Sequence, residues 1–354
     1  PHPLSHATLP APSPRIPMTL LTRLALLLTL LVGVAALAAT GIWVTASSAL
    51  SGPYDDIRGK DLPVPWPLSD DDRAALIDEA IDVARVEGRE VPADPSELVD
   101  LVGAAERRAV ERGEYLATTV GNCVECHGTD LGGEVVMDEP MVTRLVAPNL
   151  TAGRRDGPLT PEQWDRAIRH AVGPDGRALL MPGVDYAYLA DRDVSDVIAW
   201  ARSLPPVTDH VPDSAMGPIL AMLIATGGKP LDVDLIDHDR PRPTVPPPAA
   251  ADATWGAYIV QTCKGCHGTH LSGGPIPGGP PDWPPPSNLT MHETGLADWT
   301  YDQFVTLMRE GLRPDGRQIH PAMPIEAMSK LEDRDLEAMW AHLEEVEPRA
   351  FGQR

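Results

Sequence analysis

The sequence predicts an all-α chain: two tandem domains of one duplicated design, preceded by a transmembrane helix and a helical spacer. Three observations carry this. An uncharged run of membrane-spanning length lies near the start, residues 24–44. A unit of roughly 95 residues then occurs twice, as residues 113–207 and 256–347. Within each unit the apolar periodicity fits short helices set around loops. The expected divisions are 1–23, a cytoplasmic tail or mis-called start; 24–44, the anchor; 45–112, linker and spacer; 113–207, the first domain; 208–255, a proline-rich linker with a short helix; 256–347, the second domain; and 348–354, a tail.

Six of the first 17 residues are proline, so the segment before Met18 is set aside from the fold. The run that follows, LALLLTLLVGVAALAATGIWV, is long enough to cross a bilayer as a helix. Arg15 and Arg23 precede it and no further basic residue appears until Arg58, which places the N-terminus inside and the remainder outside. A cleaved signal peptide is the alternative, with Ala36-Leu37-Ala38 as cleavage site. Both readings export the body.

Between the run and the first domain, Pro63, Pro65 and Pro67 indicate an extended linker. Ser69-Asp-Asp-Asp72 reads as a helix start before an amphipathic run over Arg73–Glu87. A second helix is expected from about Asp94-Pro95-Ser96 through Val110. The net charge of -22, with acids spread along the chain, argues against a nucleic-acid partner and for a well-solvated surface.

The repeat is explicit in the residues. Gly113-Glu-Tyr115 matches Gly256-Ala-Tyr258, and Asn149-Leu-Thr151 matches Asn288-Leu-Thr290. Pro174-Asp-Gly-Arg177 matches Pro314-Asp-Gly-Arg317, Met181-Pro182 matches Met323-Pro324, and Leu189-Ala-Asp-Arg-Asp193 matches Leu331-Glu-Asp-Arg-Asp335. In each copy a helix leads into the first motif, a second runs over Thr160–Ala171 or Thr300–Glu310, and a last one over Asp191–Ser203 or Asp333–Glu345. Between the copies, the apolar piece Met216–Thr226 is too short to span a bilayer and is expected to pack as a helix between or against the two domains.

All four cysteines fall in two pentapeptides, Cys123-Val-Glu-Cys126-His127 and Cys263-Lys-Gly-Cys266-His267. This is the spacing for covalent attachment of a c-type haem. Positions i, i+3 and i+4 of a helical turn share a face. There Cys123 and Cys126 form thioethers with the haem vinyls while His127 reaches the iron, and Cys263, Cys266 and His267 do the same in the second copy. A zinc site needs four clustered ligands, and a redox pair does not need the trailing histidine. Aromatic residues are only 5% of the chain, with two phenylalanines, so a buried porphyrin would supply apolar core that the sequence lacks.

On the paired Cys-x-x-Cys-His, Asn-Leu-Thr and Met-Pro segments, residues 113–347 resemble the class I cytochrome c family. The resemblance is closer to the membrane-anchored dihaem cytochromes c, which serve as electron carriers or as cytochrome subunits of respiratory dehydrogenases. It implies two class I cytochrome c domains, two covalently bound haem c groups and axial ligation by histidine and methionine, which raises the potential of the iron.

Eleven methionines compete for the distal positions. Met181 lies 54 residues after His127 and Met323 lies 56 after His267, and these are the methionines that recur in register. Each precedes proline, which biases it towards extended backbone in a stiffened loop. Met308 and Met339 fall on helical faces as core candidates, Met328 aligns with Tyr186, and Met137 and Met141 lie in a loop without a counterpart. His170 and His320 are the rival ligands, each without an aligned histidine. The duplicated Asn149, Asn288, Arg169 and Arg309 are candidates for hydrogen bonds to haem propionates; a turn or cap role for Asn and a solvated helix face for Arg are the alternatives.

The expected function is single-electron transfer, on the outer side of the cytoplasmic membrane, between redox protein partners such as a dehydrogenase donor and a terminal oxidase acceptor. The alternatives are the cytochrome subunit of a membrane-bound dehydrogenase, and a dihaem peroxidase, which would need an open or switchable histidine-ligated site. A haem-based sensor would need an output domain that the sequence does not show.

Overall fold

The structure, a computed structural model, describes residues 18–277, 279 and 282–354; of the expected tail, residues 1–17 therefore lie outside the described residues. Helix α1, Met18–Leu50, is longer than the apolar run that predicts it. It is the one helix among the described residues long and apolar enough to cross a membrane, and no residue of its most apolar 18-residue window is buried in the protein.

Helix α2, Asp70–Val86, starts where Ser69 and Asp72 cap each other reciprocally and three acids face the positive helix end. The next expected helix is split. Asp94 caps only a short 3-10 turn, Pro95–Leu98, which ends at extended Val99; Asp100 then caps a new helix, α3, Leu101–Tyr115. A π-helical turn, Leu116–Val120, carries α3 into the first cysteine motif.

Each copy then repeats the same elements. One-turn helices α4, Val124–His127, and α10, Lys264–His267, hold the motifs. Helices α5, Pro161–His170, and α11, Tyr301–Glu310, both begin with a Thr/Gln capping box, Thr160 with Gln163 and Thr300 with Gln303. The last helices are α6, Asp191–Ser203, and α13, Asp333–Glu345, with the bounds that the periodicity predicts. Helix α9, Ala253–Ile259, leads into the second motif, and α12, Ile325–Met328, follows Met323-Pro324. In the connection between copies lie α7, Pro218–Ala225, and α8, Asp232–Leu235.

Within each copy the first and last helices cross at a glycine. A Cβ on Gly113 would overlap the Asp196 carbonyl oxygen of α6 and stand 2.9 Å from Trp200 Cβ. A Cβ on Gly256 would overlap the Ala338 carbonyl oxygen of α13 and stand 2.9 Å from His342 Cβ. The two crossings are the same construction made twice.

The all-α expectation needs one correction. Strands β1, Glu134–Glu139, and β2, Thr143–Ala147, form an antiparallel hairpin, and β3, Ala215–Met216, adds to β2. Val135, Val136, Thr143 and Val146 supply the β-branched residues that suit a pleated surface. The corresponding stretch of the second copy, Gly273–Pro286, is rich in proline, which lacks the N–H that a ladder requires.

The linker between α1 and α2 is not a free spacer. Leu62 is buried in the main core with Val64 and Trp66 against it. The Lys60 backbone N–H donates to Asp165 (2.6 Å) and its ammonium pairs with Asp191, while Ser195 Oγ donates to the Pro63 carbonyl (2.5 Å). This core is continuous through both copies, joining Trp164, Ile198 and Trp200 to Trp255, Phe304 and Leu336. A second cluster unites the end of α1 with α7 and the Val172–Ala178 edge of the first copy.

The copies meet by a reciprocal exchange. Tyr115 Oη donates to Asp335 and accepts from the Glu332 N–H (3.0 Å). Its repeat equivalent, Tyr258, donates to Asp193 (2.6 Å) and accepts from the Ala190 N–H (2.7 Å). Asp193 and Asp335 are fully buried, and Trp255 Nε1 also donates to Asp335 (2.6 Å). Because Asp193 matches Asp335 in the repeat, the interface relates the copies as a two-fold axis relates the halves of a dimer.

Candidate haem sites

Each motif is closed by the same local hydrogen bonds. The Gly128 and Gly268 N–H groups donate to the Val124 and Lys264 carbonyls (3.0 and 2.8 Å), and the one-turn helices end at these glycines, with φ 80° and 83°. The Gly133 and Gly273 N–H groups then donate back to the His127 and His267 carbonyls, both at 2.9 Å. Leu131 and Leu271, left-handed at φ 54° and 57°, are buried and accept from the Leu150 and Leu289 N–H groups. Side chains without glycine's freedom hold this backbone region only when packing fixes them. The haem loops are therefore built as rigid frames.

Both motif histidines are held at Nδ1 by a backbone carbonyl. His127 Nδ1 lies 2.9 Å from the Pro148 carbonyl and His267 Nδ1 lies 2.7 Å from the Ser287 carbonyl. A carbonyl only accepts, so each Nδ1 carries the proton and Nε2 keeps its lone pair for a metal. Burial pushes both imidazoles below the usual histidine range, the carbonyl hydrogen bonds offsetting it in part. Burial also pushes the Cys123 and Cys263 thiols up to about 12, and all four cysteines are free. Neutral, unpaired thiols beside an imidazole with a free Nε2 are the donor set that covalent haem requires. Among the described residues no three or more His, Cys, Asp or Glu side chains converge to hold a metal ion, as the zinc reading would need.

Met181 and Met323 sit in matching turns, both packed against the main core. Pro182 and Pro324 both adopt inverse γ-turn angles, φ -73° and ψ 65° against φ -77° and ψ 65°. The Gly183 and Ile325 N–H groups close these turns on the Met181 and Met323 carbonyls, each at 2.8 Å. Of the rivals, His170 is buried and stacked on His238, with Nδ1 atoms 2.8 Å apart, and His320 is exposed with Nδ1 accepting from the Ala322 N–H.

The other duplicated polar residues are engaged within the protein. Asn149 donates to the Val207 carbonyl (2.7 Å) and accepts from Thr151 N–H and Oγ1; Asn288 repeats this with the Arg349 carbonyl (2.7 Å) and Thr290. Arg169 is buried between Asp165 and Asp191 and also reaches the Leu189 carbonyl. Arg309 bonds the Ser329 and Leu331 carbonyls, each at 2.6 Å, and Asp333. Each arginine thus ties its helix to the segment that leads into the last helix of its own copy.

Residues not singled out by sequence join the two sites. The turn Gly183–Asp185, directly behind Met181, rests on α10 and on the turn before it, and α12, behind Met323, rests on the π-turn that enters the first motif. Asp185 occupies the space a side chain at Gly265 would need. Its Oδ1 is shut from solvent without a hydrogen-bond partner among the described residues. Burial pushes Asp185 up to about 7, with the Asp232 carboxylate adding and the Gly265 N–H opposing. A carboxyl whose folded value is raised contributes stability that is complete below its ordinary value of 3.8 and is lost as pH rises through about 7. Asp185→Asn should therefore stabilise the protein at pH 8 by up to about 4 kcal/mol and leave it nearly unchanged at pH 4, read by denaturant unfolding at the two pH values. Equal effects at both values would show that the carboxyl is not the cause.

Comparison with known families agrees with this construction. Residues 108–200 match the model for cytochrome c oxidase, cbb3-type, subunit III, and residues 253–347 match that for cytochrome c. The chain is 28% identical over 290 residues to a dihaem cytochrome c-type protein of Cereibacter sphaeroides, a match covering 73% of the chain and 91% of that protein. It is 36% identical over 121 residues to the fructose dehydrogenase cytochrome subunit of Gluconobacter japonicus, covering 31% and 25%. It is 25% identical over 243 residues to the cytochrome c subunit of the quinone-dependent alcohol dehydrogenase of Gluconobacter oxydans, covering 58% and 48%. The chain thus spans a quarter to about half the length of these two dehydrogenase subunits. With one cytochrome c domain matched around each Cys-x-x-Cys-His motif, the chain belongs to the class I dihaem c-type cytochromes and carries two covalently bound haem c groups.

Proposed function

We propose that this chain carries single electrons between redox proteins on the outer side of the cytoplasmic membrane, tethered there by α1. The observation that supports the proposal is the packing of the Gly183–Asp185 turn against α10, and of α12 against the π-turn that enters the first motif, which brings the methionine segment of each copy close to the cysteine segment of the other. Haem iron supplies reversible exchange of one electron between its ferric and ferrous forms.

The protein's part is to bind, orient and exclude water. Cys123, Cys126, Cys263 and Cys266 would anchor the two groups covalently, and His127 and His267 with Met181 and Met323 would hold their irons. Asn149, Asn288, Arg169 and Arg309 act as braces of the haem loops rather than as propionate partners, because their donors point to Val207, Arg349, Asp165, Asp191, Ser329 and Leu331. Residues 113–207 and 256–347 are the two electron-carrying units, with α3 and the linker around Lys60–Trp66 bracing the first. The basic residues before α1 and their absence until Arg58 put the body outside.

The donor we infer is a dehydrogenase, with this chain its cytochrome component, as the names of two relatives state for those proteins. Held by a histidine and a methionine each, the irons would offer peroxide no vacant position. The reduced chain should be re-oxidised rapidly by a soluble one-electron acceptor and turn over hydrogen peroxide at no more than the rate of free haem, followed by stopped-flow absorbance. Sustained peroxidase turnover would establish the enzyme reading instead.

A further inference from the structure

Helix α7, with the sequence PILAMLIA, is uncharged and has apolar residues on both faces. Its inner face is accounted for: Leu220, Ala221 and Ile224 are buried against Ala46, with Ile42, Ala49 and Leu50 of α1 and Leu231, Val233 and Ile236 packed around them. Its outer face is not. Ile219 is 39% exposed and Met222 46%. Beside them the Ile219 N–H donates to the Met141 carbonyl (3.0 Å), which holds the 63%-exposed Met141 of the β1–β2 turn at the same edge.

The position of this face along α1 sets its level relative to the membrane. The apolar run Leu24–Val44 is 21 residues, and at about 1.5 Å per residue it matches the roughly 30 Å hydrocarbon layer. Ile42, in the last turn of that run, and Ala46, Ala49 and Leu50 beyond it lie at helical spacing on one face of α1 at its outer end, and Trp43, 46% exposed, marks the level where indole rings sit between lipid and water. A helix packed on Ile42–Leu50 lies at that same boundary.

We propose that α7 and Met141 form a second membrane contact, with Ile219, Met222 and Met141 inserted among the outer-leaflet lipids at the headgroup–acyl boundary. The proposal rests on the reading of α1 as a membrane anchor. Such an insertion adds apolar burial beside the span and fixes the tilt of the first haem domain over the bilayer. The chain's net charge of -22 makes this an apolar contact rather than an electrostatic one. Salt should not release it.

The test uses the full-length holoprotein in phosphatidylcholine vesicles, with single nitroxide labels on introduced cysteines; the native cysteines are blocked as thioethers. Ile219→Cys and Met222→Cys report the proposed contact, Leu31→Cys in α1 reports the span, and Leu235→Cys, at a 59%-exposed site on α8, reports water. Collision with oxygen relative to a water-soluble nickel chelate should be several-fold higher at 219 and 222 than at 235 and should resemble that at 31. Values at 219 and 222 like those at 235, with 31 in lipid, would overturn the contact and leave the anchor standing. Exclusion of both reagents at 219 and 222 would mean that protein, a second copy or a partner subunit, covers this face, and would overturn the lipid contact as well. Water at position 31 would remove the anchor and the proposal together.

Discussion

Replacing Gly113 or Gly256 by alanine should each lower the stability of the folded body by about 2–3 kcal/mol or more, at the upper end of overpacking costs. Helix propensity alone predicts the opposite sign, a gain of about 1 kcal/mol for Gly→Ala in a helix interior. The new Cβ would overlap a backbone carbonyl in each case, Asp196 in α6 or Ala338 in α13, and a carbonyl inside a helix cannot swing aside as a side-chain tip can. The crossing helices must separate. In the first copy that movement also draws Tyr115 away from Asp335, so the damage reaches the interface between copies. Gly33→Ala, where a Cβ meets nothing within 4 Å, is the control and should leave the body's unfolding unchanged. Denaturant titrations of the three variants decide the matter, and a stabilised Gly113→Ala would refute the close crossing.

Met181→His should lower the potential of one haem by on the order of 0.2 V, within the ~0.8 V range that axial ligands span, and leave the other nearly unmoved. Met323→His should lower the second in the same way. A thioether favours ferrous iron more than a second imidazole does. The selectivity follows from the structure, since each methionine sits in its own proline-containing turn, closed by its own backbone hydrogen bond from Gly183 or Ile325. Met308→Leu, a volume-conserving change at a side chain only 2% exposed, should move neither potential much. Potentiometric titration of the visible spectrum reads all three. If either histidine variant keeps both potentials and the sulfur-to-iron band of the oxidised protein, that methionine is not a ligand, and His170 or His320 is the next residue to replace.

Much of this architecture is legible in the sequence where local chemistry sets it. Thr160 with Gln163 and Thr300 with Gln303 announce α5 and α11, and the Asp-x-Asp starts of α6 and α13 coincide with the helix bounds. The cysteine motifs and the Met-Pro turns are visible as repeats because each is contiguous. What escapes is set by packing between distant segments. Met137 reads as loop, although it lies in β1, because a two-stranded ribbon needs its partner, Thr143–Ala147, to declare itself. Asp94-Pro95 mimics a helix start, and only the extended Val99 and the better cap at Asp100 move the helix forward. Tyr115 and Asp335 lie 220 residues apart, and nothing local says that they meet. Helix α7 is foreseeable as an apolar helix against the domains, but its seat on the end of α1 depends on where the chain returns after the first copy. Arg169 stands out as duplicated, yet its burial between Asp165 and Asp191 makes it a tie within the fold, which a sequence cannot separate from a solvated face.

The intact mass of the denatured full-length chain tests the central claim most directly, because thioether-bound haem survives unfolding and non-covalent haem does not. The structure offers two complete sets, Cys123, Cys126 and His127 and then Cys263, Cys266 and His267, each with neutral free thiols and a histidine whose Nδ1 is already committed to a carbonyl. The predicted result is a mass equal to the chain plus two haems, with one haem on each cysteine-pair peptide after proteolysis. A chain carrying one haem or none, or both haems lost on denaturation, would contradict it.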